Sequence, residues 1–364
     1  MSSVWNNRIA ISLFGESHGS AMGVTINNLP AGEYIDVEKI SKFMSRINVR
    51  RDELDFLPRE NVTPHIMSGI YNDRTTGSPL CAFVRNYIHE TEKSADSLDR
   101  LARAGHADYT GAVRYKGFND VRDGGHMSEK IIIPICFAGA VCGQILERRG
   151  IYTGAHIASL GTVKDNPFDS VRLNREQILS IREKKFPVIS DSKGWLMAGQ
   201  IAETYAKGDT LGGVVECAVV NVPAGIGSPV FDGLESTVSQ LVFSIPHVSG
   251  IEFGNGFRSC MMTGTQNNDA FYVNDHGHVL TETNNHGGIL GGISSGMPIV
   301  FRAGFRPSPS VAVPQESVDL KTMTGRSFTS DECDVCEVTR AVACVEAVAN
   351  IAVLSHMIDY PNFC

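Results

Sequence analysis

The chain has 364 residues, 42% apolar and 20% charged, with a formal net charge of −8. That balance suits a folded globular chain with a sizeable core. It excludes a disordered chain and leaves no basic footprint for nucleic acid, so any anionic ligand must be held by local arginines.

Residues 9–14, IAISLF, are mostly apolar and predict a strand that is too short for a signal peptide. Gly15-Glu16-Ser17-His18-Gly19 follows and matches G-x-S-x-G, the turn that carries the serine nucleophile of α/β-hydrolases. That turn normally follows several strands. Only one strand-like run precedes Ser17, so a serine hydrolase is the minor reading. Residues 36–46 predict a helix. Arg46, Arg50, Arg51 and Arg59 come next in one stretch, joined later by Arg103. Guanidinium groups pair bidentately with phosphate and carboxylate; the alternative is a solvated helix end and loop.

In Arg103-Ala-Gly-His106-Ala-Asp108-Tyr109-Thr110, a histidine near a carboxylate suits proton transfer close to neutrality. The plainer reading is a loop histidine bonded to Asp108. His18 and His106, each in a glycine-containing loop, could together handle two separate protons. The apolar run 131–146 carries Pro134 and Gln144 and falls short of the roughly 20 residues that span a bilayer. It predicts a buried helix and no membrane association. Residues 213–222 predict a half-buried strand, 234–243 a helix, 298–301 a strand and 339–358 a helix.

Residues 287–296, GGILGGISSG, lead through a strand to Arg306-Pro-Ser308-Pro-Ser310. Exposed backbone N–H groups, hydroxyls and one cation make a plausible phosphate cradle. It is neither a P-loop nor a dinucleotide fingerprint, since Gly254-x-Gly256-x-x-Ser259 lacks its last glycine. The nine cysteines are odd in number and mostly lie in apolar runs, as expected of reduced thiols in a cytoplasmic protein. Cys333 and Cys336 form the one C-x-x-C, and without a second pair no structural zinc is expected. Mixed strands and helices with no dividing linker predict an α+β layered architecture, residues 1–364 forming a single domain.

These segments, in this order, resemble the chorismate synthase family. The resemblance runs from FGESHG at 14–19 through TTGSP at 75–79, HADYT at 106–110 and GGVVE at 212–216. It continues through NVPAG at 221–225, SIP at 244–246, GIEFG at 250–254, GGIS at 291–294 and RAV at 340–342. It implies a layered fold of two antiparallel sheets around helices, with internal pseudo-symmetry, assembled as a homotetramer. It implies reduced FMN as cofactor without net redox change, and a small-molecule substrate. The reaction it implies is the anti-1,4-elimination of phosphate from 5-enolpyruvylshikimate 3-phosphate to give chorismate, in the shikimate pathway. An external, NADP-linked flavin reductase would supply the reduced flavin, because the chain has no dinucleotide motif.

By the same resemblance, His18 would protonate the departing phosphate and His106 would sit near the flavin N1 end. Asp334 would assist flavin N5 in removing the ring hydrogen. Ser17, Arg46, Arg50, Arg51, Arg103 and Lys130 would bind substrate, while Ser128, Gly292, Arg306, Ser308 and Ser310 would hold FMN. Two stretches depart from the family pattern. The family's GGRSSARET is GGHMSEKII at 124–132 here, so Lys130 replaces an arginine and Glu129 a small residue. The family's GRHDPC is DECDVC at 331–336, which puts Glu332 where an arginine is expected. A flavin-binding paralogue with weak activity, or with a different anionic substrate, is therefore the alternative to a working lyase.

Overall fold

The computed structural model describes residues 3–47, 63–86, 101–330, 333–334 and 336–360. Its chain runs twice through one order of elements: two strands, a helix, two strands, a longer helix. The first half holds β2 (Ala10–Gly15), β3 (Ala21–Asn27), α1 (Val37–Ser45), β4 (His65–Ser68), β5 (Leu80–Arg85) and α2 (Ile132–Glu147), with β1 (Val4–Asn6) at its edge. The second holds β6 (Tyr152–Leu160), β8 (Gly213–Val220), α3 (Leu234–Val242), β9 (Val248–Phe253), β10 (Ile299–Phe305) and α4 (Val338–Met357), with β7 (Val163–Lys164) at its edge. The sheets repeat too: the orders are β1-β2-β3-β5-β4 and β7-β6-β8-β10-β9, antiparallel throughout. This is the expected α+β architecture, two antiparallel sheets around helices with internal pseudo-symmetry.

α2 and α4 are apolar on every side, and a helix of that kind must be buried on every side. Each is buried almost along its whole length, α2 against β3 and β5, α4 against β6 and β8. α4 is long and apolar enough to cross a membrane, as is the stretch Arg122–Glu147 that ends in α2, yet both are mostly buried and form the core. They also pack on each other. Gly139 makes this possible: a Cβ there would stand 2.3 Å from Cα and Cβ of Ala347. Asn350 Nδ2 donates to the Gly139 carbonyl at 3.2 Å, and the Cys136 and Cys344 thiols meet at 3.5 Å. Residues 136, 139 and 143 face 344, 347 and 350 in rising order, so the two helices run parallel and start at the same end of the molecule. The buried Gln144 pairs with both backbone groups of Asp36 at 2.9 Å, which fixes the start of α1, where Asp36 caps the first turn.

The cysteines among the described residues are free thiols. Burial pushes Cys336 up to about 11 and raises Cys333 as well, which keeps the C-x-x-C protonated and unreactive.

Two charged clusters are buried, one joining the two halves and one inside the second. Glu346 of α4 is fully buried; Arg46 grips it with two nitrogens at 2.6 and 2.7 Å, Arg182 Nε lies 3.4 Å away, and the Ala155 N–H donates at 3.0 Å. His156 of β6 is fully buried between Asp165 at 3.2 Å and Glu216 at 3.0 Å. Burial alone would lower the His156 pKa, but the two carboxylates outweigh it and raise it. A raised folded-state pKa adds stability below the unfolded value of about 6.5 and loses it as pH rises through the folded one. His156→Gln is therefore expected to cost about 3 kcal/mol at pH 6 and clearly less at pH 9. Urea unfolding of both proteins at the two pH values checks this, and an equal loss at both would exclude a charged His156.

Candidate active site

The turn after β2 and the loop 122–131 before α2 are built against each other. Gly125 lies at φ 57°, and a Cβ there would come within 2.2 Å of the Asp120 carbonyl, so only glycine fits this crossing of backbone. The loop carbonyls face inward and take the donors of the buried Ser17: its N–H to Gly125 at 3.1 Å, its hydroxyl to Arg122 at 2.9 Å and Asp123 at 3.2 Å. A hydroxyl spent on main-chain carbonyls is no nucleophile, which removes the hydrolase reading of G-x-S-x-G. His126 ties the loop down, with Nδ1 2.6 Å from the Gly15 carbonyl and Nε2 2.5 Å from the Ser3 hydroxyl.

Charge is paired inside this loop. Arg122 holds Asp120 bidentately at 2.9 and 2.8 Å and keeps its carboxyl below the usual range. Burial raises Asp123, against the pull of Lys130, whose Nζ is 3.6 Å away, and of His18. His18, Asp123 and Lys130 thus share one electrostatic neighbourhood. Ser128 is buried and caps the turn at 129–131, its hydroxyl accepting from the Lys130 N–H at 3.5 Å.

A second group forms where the short strand Leu101–Ala102 pairs with Gln315–Asp319. That pairing brings the loop after residue 102 beside residues 306–310. Arg103 holds Asp108 bidentately at 2.9 Å, shaping the loop that carries His106. Burial, reinforced by Arg103, lowers the His106 pKa, so the ring is neutral at pH 7. Its Nδ1 lies 3.0 Å from the Ala104 carbonyl and must donate there. Nε2 is then left as an acceptor 3.3 Å from the Ser310 hydroxyl. Asp334 joins through its N–H to the Ser310 carbonyl at 3.1 Å and accepts from the Ser308 hydroxyl. Arg306 is exposed and gives one donor to the Gly105 carbonyl at 3.2 Å.

Glu129 links the two groups. Its carboxylate accepts from His247 at 2.5 Å, faces Arg340 at 3.8 Å, and stands beside the Glu337 carboxyl. Oxygens of Glu129, Asp334 and Glu337 all lie within 4.8 Å of one another. Residue patterns gave no sign of Glu337 or His247. Each is one ordinary residue in an element end, and only the fold sets them beside Asp334.

The structure brings His106, Arg103, Asp334, Arg306, Ser308 and Ser310 together, and His18, Ser17, Ser128 and Lys130 beside them. It sets Arg46 apart, since that guanidinium is taken up by the buried Glu346 rather than left open to a ligand. Gly292 sits in another turn, its carbonyl accepting from the Leu234 N–H at 3.0 Å. Arg50, Arg51, Arg59 and Glu332 lie outside the described residues.

The comparisons agree with this architecture. A family model described as chorismate synthase matches residues 9–358. A chorismate synthase of Korarchaeum cryptofilum is 35% identical over 357 residues, covering 97% of each chain. One of Thermococcus kodakarensis is 36% identical, covering 96% of each. One of Dehalococcoides mccartyi is 38% identical over 96% of this chain and 95% of its own. A solved structure described as the crystal structure of chorismate synthase superposes with a TM-score of 0.76 at 25% identity, covering 97% of this chain and 93% of that one. The fold and its clustered acid, base and cationic groups define an enzyme. The chain belongs to the chorismate synthase family.

Arg46 separates two roles cleanly. Removing one partner of a buried pair leaves the other charge uncompensated, so Arg46→Ala should cost about 3–5 kcal/mol of stability. The KM of protein that remains folded should change little. A melting curve together with steady-state kinetics reads both, and an intact melting point with a raised KM would return Arg46 to the substrate.

Proposed function

We propose that the protein is a carbon–oxygen lyase that removes phosphate from 5-enolpyruvylshikimate 3-phosphate by anti-1,4-elimination to give chorismate, with reduced FMN as cofactor. The family likeness supports this along the whole chain. The observation that carries it is the meeting of a neutral His106, Ser310 and Asp334 from three distant segments, next to the loop that holds Lys130 and neighbours His18.

The donor set fits an anionic cofactor: Arg306 is exposed, the Ser310 hydroxyl follows in the same loop, and His106 offers an acceptor at Nε2. Arg306, Ser308, Ser310 and Ser128 would hold FMN, with Ser308 acting through Asp334. When bound, reduced FMN would lend electron density as the allylic phosphate departs and recover it afterwards. The chain's own residues carry the protons. His18 delivers one to the departing phosphate, Asp334 assists flavin N5 in removing the ring hydrogen, and His106 presents its unprotonated Nε2 beside Ser310. Lys130 and Arg103 supply positive charge to the substrate's phosphate and carboxylates. The same reading extends to a cytoplasmic homotetramer served by an external flavin reductase. The acidic pair Glu129–Glu337 in this centre favours a second reading, a flavoprotein that takes a different anionic substrate.

Anaerobic incubation with photoreduced FMN and 5-enolpyruvylshikimate 3-phosphate should give chorismate. FMN binding without turnover would favour the second reading. His106→Ala should lower turnover by about 10²-fold or more while the protein stays folded; unchanged turnover removes His106 from the proton chemistry.

A further inference from the structure

Oxygens of Glu129 and Glu337 lie within 4.8 Å of each other, and two ionised carboxylates offer each other only acceptors, so a hydrogen bond between them needs a proton. Its location follows from the surroundings. Glu129 receives the His247 N–H at 2.5 Å and faces Arg340. Among the described residues the cation facing Glu337 is Arg340, at 3.7 Å, and the Glu337 side chain is 12% exposed. The charged and titratable groups turned toward this pair are His247 from the turn after α3, Asp334, Arg340 of α4, and the Cys344 thiol. Lys130, next in sequence to Glu129, is paired with Asp123. Among the described residues the remaining wall is apolar, with Ile132, Ile245 and Phe305. Three carboxyls within 4.8 Å in such a setting do not all ionise.

We propose that Glu337 is a positioning residue of the reaction centre: it keeps one proton between itself and Glu129, so that Asp334 presents the carboxylate. This rests on the lyase reading, in which Asp334 assists the removal of the ring hydrogen. Burial pushes Glu337 up to about 8, the negative charges of Glu129 and Asp334 add to the rise, and Arg340 opposes it. Burial acts on Glu129 too, but His247 and Arg340 outweigh it and hold that carboxyl below the usual range. At pH 7 the centre therefore carries one negative charge fewer than its residue count suggests. An anionic substrate gains from that directly. Above pH 8 the missing charge appears, and repulsion of the substrate follows.

The folded chain binds this proton more tightly than the unfolded chain, so the group costs increasing stability as pH rises from the usual glutamate range through about 8. Three readouts follow. Infrared difference spectra of the protein without substrate or flavin, with and without ¹³C-glutamate, should show a protonated glutamate band at pH 7 that titrates near 8 and is missing in Glu337→Gln. The Gln variant should gain melting temperature relative to wild type as pH is raised from 5 to 9. In the flavin-reduced enzyme, the alkaline fall of kcat/KM should move up by about one pH unit or more in Glu337→Gln, a shift that a purely structural role would not produce. If that variant fails to fold, Glu129→Gln removes the same pair. Absence of the band, its persistence in both variants, or superimposable alkaline limbs overturns the proposal. A titrating band in a protein that makes no chorismate overturns the positioning role too, and assigns the failure to the lyase reading rather than to the proton.

Discussion

The parallel contact of α2 and α4 is the constraint on which the rest depends. Two helices that are predominantly apolar on every side can be hidden from water only if something covers each outer side, and a five-stranded sheet does so in each half. Gly139 lets the helix backbones approach until Ala347 lies in contact, and close packing of this kind tolerates little added volume. Because the helices run the same way, their N-terminal ends emerge side by side. Residues 128–131 lead into one, residues 333–337 into the other, and Glu129 bridges them. Both helix dipoles then point their positive ends toward one region, a setting suited to an anionic ligand.

Within that region four cations near the loops already have a carboxylate: Arg122 with Asp120, Lys130 with Asp123, Arg103 with Asp108, and Arg340 with Glu129 and Glu337. Such pairing holds the donors in fixed directions before a ligand arrives, which is what preorganised electrostatics requires. It also explains how lysine can stand where the family carries arginine. Asp123 steadies a point charge that lacks the guanidinium fork.

Much of the fold was legible in the sequence. The 213–222 run became the strand Gly213–Val220, 234–243 the helix Leu234–Val242, and 339–358 the helix Val338–Met357, because long periodic or apolar segments commit their own backbone. The strands β3, β5, β6 and β9 carried weaker local signals and depend on their neighbours for hydrogen bonds. The Asp191–Ala206 helix was missed for a similar reason, since its apolar stripe is thin and only Gly194, Met197 and Ile201 are buried.

By itself the sequence determined the two apolar helices, the glycine-bound turns and the family's motif order, because each is a property of contiguous residues. The tertiary structure alone decided how the polar residues were used. Ser17 and His126 became loop fasteners, Arg46 the counter-ion of a buried glutamate, and Glu129 and Glu337 a pair beside Asp334. The physical reason is range. Helix and strand signals act over a few residues, whereas the protonation and pairing of a side chain depend on burial and on charges brought close only by the folded chain.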